Sequence, residues 1–306
     1  VLTTFLSRGE VVRHARALHL LRELREALVA PAPDGGPSSL AVEVPGRHGE
    51  TALRHATASS IPAWSLTVRA TLRADARGSG AVLHLYDGPS GRLLSSMDFG
   101  HLGSLSQAVL GALAVDVLAR PDAACVAVLG AGPMASSALK ALRLVRSLER
   151  VMLYDADLAA STSQALALHQ ALSVPVRACE SPEEAVALAD VVILTGKVRL
   201  PSDALRDGTH LSVMGAERWL EAPVPTSVLA RARVFSELAS PALPWAPAGV
   251  TGLGEVLDGR VTARPRPGDL TVFLATTPPL IDLVAGWHVF EGARHDERLT
   301  RVDLDG

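Results

Sequence analysis

The feature that most narrows the possible folds is an apolar run, Cys125 to Leu129, that passes directly into Gly130-Ala131-Gly132-Pro133-Met134-Ala135. Over residues 133–146 the apolar positions then return at helical spacing. A strand that turns on two glycines into a helix is the G-x-G-x-x-A form of a dinucleotide-binding turn. Gly130 permits the tight turn, and Gly132 lets the backbone approach a pyrophosphate on the helix N-terminus. Ala135 lets helix and strand pack closely. Ala131, Pro133 and Met134 lie in the same turn and join them as cofactor-contacting candidates. A second apolar strand, residues 151–154, ends at Asp155, 25 residues after Gly130. That is close to the ~20-residue offset at which an acidic side chain meets the adenosine ribose. Ala156 and Asp157 follow, with no Arg or Lys to pair with a 2′-phosphate, so the segment predicts NAD(H) over NADP(H). The competing reading is a glycine turn that binds no nucleotide; it accounts for the turn but not for the aspartate. No G-x-x-x-x-G-K-[ST] occurs, which excludes a P-loop.

Away from this turn the hydrophobic period changes along the chain. Ser7, with Glu10 three residues on, predicts a capped helix within the first 30 residues. Val11, Ala15, Leu18, Leu21, Leu24 and Leu28 form its apolar side. The Pro- and Gly-rich residues 30–37 read as a loop. Over residues 40–98 strict alternation takes over. Residues 81–86 and 92–97 flank the turn Asp87-Gly88-Pro89-Ser90-Gly91, which predicts an antiparallel sheet or small barrel. Residues 105–118 predict a helix stopped at Arg120-Pro121. Beyond the glycine turn, helices are expected over 158–172, 182–188 and 279–291. Strands are expected over 191–194, 210–214, 234–236 and 270–274. Strands apolar on both faces and alternating with helices are those of parallel βαβ units. The expected fold class is α/β, a Rossmann dinucleotide-binding domain plus an α+β domain with an antiparallel sheet.

Composition removes several function classes. Lys and Arg number 29 against 32 Asp and Glu, a net charge of −3, which leaves no basic footprint for nucleic acid. Aromatics make up 4%, too few for base-stacking platforms. Two cysteines, Cys125 and Cys179, fit a reducing compartment rather than a disulfide framework. Cys125, inside an apolar strand, is expected to be an inert core thiol. The charge-free stretches contain Gly, Ser, His or Pro, so no membrane span is expected. Arg8, Glu10, Arg13 and Arg16 break up any leader-like apolar segment. Together these predict a cytoplasmic protein without nucleic-acid or membrane partners. The ten histidines form no H-x-x-x-H or His/Cys cluster, so no metal site is expected.

Several segments taken together are similar to the ornithine cyclodeaminase/μ-crystallin family. They begin with Leu118-Ala119-Arg120-Pro121-Asp122-Ala123 and Val128-Leu129-Gly130-Ala131-Gly132. Tyr86-Asp87, Ser90-Gly91-Arg92-Leu93-Leu94 and Met97-Asp98 look like that family's hairpin before a linking helix. Ala189-Asp190-Val191-Val192-Ile193, Leu205-Arg206-Asp207-Gly208-Thr209-His210 and Met214-Gly215-Ala216-Glu217 resemble its nicotinamide side. Gly252-Leu253-Gly254-Glu255-Val256, Leu270-Thr271-Val272-Phe273 and Asp282 match its C-terminal signature. The resemblance implies a substrate and dimerisation domain, residues 1–117 with 280–306, and an NAD(P)-binding Rossmann domain, residues 118–279. It also implies a homodimer and nicotinamide-dependent chemistry at C=N or C–N bonds, as in cyclodeaminases, alanine dehydrogenases and ketimine reductases.

Departures from the family pattern bear on the substrate. The resemblance puts L-T-x-x-R-T on the linking helix, with its Arg holding a substrate carboxylate. Here the segment is Leu102-Gly103-Ser104-Leu105-Ser106-Gln107, so Ser106 stands at that place. The family's lysine in the preceding sheet aligns with Thr67, and Arg69, two residues on, points to the same face. Glu43 falls near a further clamp arginine, and G-A-D has become Gly215-Ala216-Glu217. One hydroxyl does not replace a planar guanidinium fork. The expected substrate is therefore an imine or amine, a small molecule or modified peptide, lacking the usual free α-amino-acid carboxylate anchor. Thr67, Arg69 and Ser106 are expected to line its pocket. Glu217 is the expected catalytic group, stabilising an iminium ion or relaying a proton. Thr195-Gly196 and Met214-Gly215 follow the third and fourth strands and are expected at the cofactor edge. Lys197 reads as a solvated loop residue. The expected function is that of an NAD(P)H-dependent oxidoreductase. The alternatives are a cyclodeaminase or amino-acid dehydrogenase whose clamp is rebuilt, with Arg69 or Arg54, and a non-catalytic binding protein.

Overall fold

A computed structural model describes residues 2–30, 39–46, 49–72, 80–201, 203, 205–216, 221–239 and 243–304. The chain opens with β1 (Leu2–Leu6), α1 (Arg8–His14) and α2 (Ala17–Val29). Next come β2 (Ser39–Gly46), β3 (Gly49–Ala58), β4 (Ile61–Leu72), β5 (Gly80–Asp87), β6 (Leu93–Asp98) and α3 (Gly100–Leu118). The middle runs β7 (Cys125–Leu129), α4 (Pro133–Leu142), β8 (Arg150–Tyr154), α5 (Leu158–Leu172), β9 (Val176–Ala178), α6 (Pro182–Val186), β10 (Val191–Leu194) and β11 (His210–Met214). It ends with α7 (Thr226–Arg231), β12 (Arg233–Ser236), β13 (Thr251–Gly252), α8 (Leu253–Leu257), β14 (Thr271–Ala275), α9 (Pro279–Ala293) and β15 (Thr300–Asp303). These pack as two compact units. One is Val1–Ser106 with Thr277–Gly306, and the other is Gln107–Thr276.

The first unit holds a sheet in the order β15-β1-β6-β5-β4-β3-β2. Its strands pair antiparallel except for β1 with β6, which run parallel, so the expected antiparallel sheet is a mixed one. The expected N-terminal helix is two helices preceded by a strand. Glu10 accepts hydrogen bonds from the Ser7 backbone N–H at 2.7 Å and the Ser7 hydroxyl at 2.6 Å. The helix breaks at Ala15-Arg16, where the Arg16 N–H donates to His288 Nε2 at 3.0 Å instead of continuing the ladder. Alternation along the strands turns Ala56, Thr67, Leu83 and Met97 to one face, where α9 lies. A Cβ at Gly286 would sit 2.6 Å from Leu83 Cδ2, so α9 approaches the sheet at a point only glycine accommodates.

The second unit is a parallel sheet in the order β13-β12-β14-β11-β10-β7-β8-β9. Val126, Val128, Val192, Leu194, Leu211, Val213, Val272 and Leu274 are buried, as expected of strands covered on both faces. Strand order reverses at β7, which has β8 on one side and β10 on the other. In open α/β sheets that reversal opens a crevice at the carboxyl ends of the strands, where ligands bind. The linking helix starts five residues earlier than its periodicity indicated, at Gly100 rather than Leu105. Among the described residues α3 is the one helix long and apolar enough to cross a membrane by composition, but 67% of that stretch is buried in the fold. Arginines close its last carbonyls. Arg146 donates to Asp116 O at 3.0 Å and Arg264 to Leu118 O at 3.1 Å, where cations oppose the helix dipole.

Candidate functional site

At the end of β7 the chain turns on Gly130, whose φ of 114° only glycine adopts without strain. A Cβ there would lie 2.5 Å from Gly196 N and 2.7 Å from Gly196 Cα. The two glycines thus back onto each other across β7 and β10. The Thr195 hydroxyl donates to Gly130 O at 3.0 Å, and the Gly130 N–H donates to Tyr154 O at 2.7 Å. Thr195 and Gly196 therefore brace the turn. Gly132 is the N-cap of α4 and Pro133 its first residue. A Cβ on Gly132 would meet nothing within 4 Å, so packing inside the chain does not require glycine there. Pro133 has no N–H to leave unpaired, and the Ala135 N–H donates to Gly132 O at 3.0 Å; the start of α4 still carries the positive end of the helix dipole. Ala135 is fully buried against the sheet, and Met134 is half-buried.

Asp155 follows β8. Its Oδ2 accepts from the Ala131 N–H at 2.7 Å and its Oδ1 from the Asp157 N–H at 3.1 Å. Asp157 caps α5 by accepting from the Ala160 N–H at 3.0 Å. The Asp155 carboxylate and the glycine turn are thus one hydrogen-bonded piece. Gly215, just past β11, has a φ of 67°. Met214 turns its thioether into the core, where a Cβ on Gly111 would meet its Cε at 2.9 Å, so at the strand end it offers backbone. Lys197 is exposed. Glu217 lies outside the described residues.

Sequence reasoning missed Glu237, a buried carboxylate directly after β12. It accepts from the Thr276 N–H at 3.1 Å, the Thr276 hydroxyl at 2.9 Å and the Ser236 hydroxyl at 3.0 Å. The only sequence signal was a glutamate ending an apolar strand. Cys125 is half-buried rather than core, because β7 begins there, and its Sγ accepts from Arg150 Nε at 3.2 Å. Cys179 is buried, which pushes its thiol up to about 11. Among the described residues no three His, Cys, Asp or Glu side chains gather as a metal site would need.

The expected pocket residues lie in the first unit. Thr67 is fully buried, and Ser106, also buried, donates its hydroxyl to Gly103 O at 3.1 Å within its own helix. Beside Thr67 sits an ion pair. Arg54 Nε donates to Asp282 Oδ2 at 2.7 Å, with the two side chains 13% and 2% exposed. Arg54 Nη2 also donates to Thr277 O, through a short bond, and to Asp282 Oδ1 at 3.4 Å. Burial pushes the Asp282 carboxyl above its ordinary range. Arg54, then Arg69 and the Thr67 hydroxyl, pull it back. Thr67 does so short of hydrogen-bond geometry.

The model of the ornithine cyclodeaminase/mu-crystallin family matches residues 71–297. A Delta(1)-pyrroline-2-carboxylate reductase of Bacillus cereus is 24% identical over 229 residues, 69% of this chain and 70% of that protein. The ketimine reductase mu-crystallin of Mus musculus is 29% identical over 239 residues, 71% of this chain and 73% of that one. In fold, the chain is similar to an archaeal alanine dehydrogenase dimer with bound NAD. That match has a TM-score of 0.85 at 19% identity, and covers 99% of this chain and 100% of the other. With the family's segments in order along a matching fold, the chain belongs to the ornithine cyclodeaminase/mu-crystallin family.

Proposed function

We propose that this chain is an NAD(P)H-dependent oxidoreductase that reduces a C=N bond in a small molecule, with NAD(H) preferred. The cofactor half rests on Gly132, an exposed helix N-cap at which a side chain would meet nothing in the protein. Such a glycine is accounted for by a ligand that needs the backbone at close range. The C=N half is supported by the two relatives that are imine reductases by name. When bound, a reduced nicotinamide supplies hydride to the imine carbon. Gly130 and Gly132 keep side chains off the start of α4, so the positive end of the helix dipole faces the pyrophosphate. Asp155 accepts the ribose hydroxyls and repels a 2′-phosphate through like charge. Glu217, three residues past β11, stabilises the iminium ion and holds the proton that the amine nitrogen requires.

The test is loss of NADH absorbance with a panel of cyclic imines. Wild type is expected to turn over at least one of them. Glu217→Gln is expected to lower kcat by about a hundredfold or more while NADH affinity is kept. A full rate in Glu217→Gln removes Glu217 from the chemistry, and no turnover across the panel contradicts the reductase reading.

The proposed partner is a second copy of this chain. Val42, Leu53, Val68 and Val82 are direct cross-strand neighbours in one row on the sheet face opposite α9. Leu40, Val42, Val44 and Val82 there are 58%, 43%, 45% and 39% exposed, an apolar row of the kind that marks an association surface.

A further inference from the structure

In the second unit, one face of the sheet is incompletely covered. Cys125 on β7 is in register with Arg150 on β8, and Met152 on β8 with Arg177 on β9. Arg150 and Met152 are two residues apart on one strand, so all four side chains leave the same face. The helix on that face is α6, whose Ala185 and Val186 share a core with Ala127 and Met152. It has five residues, about one and a half turns. Beside it, at the amino ends of β7, β8 and β9, a groove of about 700 Å³ opens. That is within the ~300–1,000 Å³ of small-molecule sites. Half-buried Met152 and Val176, and Leu188, which is 58% exposed, line its apolar part. The glycine turn lies at the opposite, carboxyl end of β7.

The charged groups along the groove are unequally engaged. Glu184 is the one acid among the lining residues, and it accepts from Arg177 Nη2 and from the Glu180 N–H at 2.9 Å. Arg150 gives its Nε hydrogen to Cys125 Sγ at 3.2 Å, and sulfur is a weak acceptor. Among the described residues, Arg150 pairs with no carboxylate and the terminal nitrogens of its fork have no hydrogen-bond partner. A guanidinium held at Nε still offers those two nitrogens end-on as a bidentate pair.

We propose that this groove is a second ligand site, for a small carboxylate carried on an apolar body. The fork of Arg150 takes the carboxylate end-on, and the apolar body lies along Met152, Val176 and Leu188. One uncompensated guanidinium matches one negative charge, which suits a monoanion better than a phosphate dianion. Cys125 is a positioning residue that holds the arginine at the groove. The site uses neither the glycine turn nor nicotinamide chemistry, so its failure would leave the reductase reading intact.

The experiment is NMR of protein carrying ¹³C at its methionine methyls, in excess NAD+, titrated with naphthalene-2-carboxylate and with the neutral naphthalene-2-carboxamide. Two of the four methionines mark the two ends of the sheet. Met152 lines the groove, and Met134 lies in the first turn of α4. The naphthalene ring is expected to shift the Met152 methyl and leave that of Met134 in place. Wild type is expected to bind the carboxylate about fivefold or more tightly than the carboxamide. Arg150→Gln is expected to equalise the two, and Leu188→Ser to weaken both by about threefold. Both side chains are exposed, so neither change removes core packing. No binding by wild type, a shift at Met134 instead of Met152, or a carboxylate preference that survives Arg150→Gln would overturn the proposal.

Discussion

At the scale of single residues, Gly130 and Gly132 do different work. Gly130 combines a positive φ with a 2.5 Å approach to Gly196 backbone, which cannot shift the way a side chain can. Gly130→Ala is expected to cost about 1–3 kcal/mol or more in strain alone, read as a lower urea midpoint. Unchanged stability would show that the turn relaxes. Both glycines were legible in the sequence because their demands are local, a strand, a turn and a helix within a few residues. The Arg54–Asp282 pair was not, since its members lie 228 residues apart and meet only through the register of β3 and β4 with α9 packed over them.

At the scale of elements, the strands of the second unit follow their apolar runs within a residue at β7, β8, β10 and β11. What escaped was short or placed by pairing. β1 is stabilised as a strand by pairing with β15 and β6, and β15 by pairing with β1, and no period shows in four or five residues. β9, β13, α7 and α8 are likewise too brief to carry a pattern. β11 begins with His210, one of the ten histidines that form no cluster in the sequence. It is buried between Thr271 Oγ1 and Ser212 Oγ, each 2.9 Å away. Burial first, then the charges of Arg264 and Arg146, push it down to about 3. Its native form therefore stays neutral where the unfolded chain takes up a proton. This contribution to stability is complete above the ordinary histidine pKa of about 6.5 and is lost as pH falls from there toward 3, at about 1.4 kcal/mol per pH unit. NMR of the ring is expected to show no titration between pH 8 and pH 4.5, and a midpoint near 6.5 would contradict the buried network.

At the scale of the whole molecule, the first unit is built from both ends of the chain and the dinucleotide-type unit from its middle. The apolar row on the first unit is proposed to be covered by a second copy. Sedimentation is expected to show a dimer at micromolar concentration that Val42→Glu converts to a monomer, and a monomeric wild type would refute the pairing. All of this depends on the glycine turn and Asp155 holding a dinucleotide. The most direct measurement is fluorescence titration of the purified chain with NADH and NADPH, beside Gly132→Ala. Saturable binding is predicted, tighter for NADH. In Gly132→Ala it should weaken by about tenfold or more while the melting temperature holds, since the added methyl meets only the ligand. If neither nucleotide associates with the chain, or if Gly132→Ala binds as well as wild type, the account is contradicted.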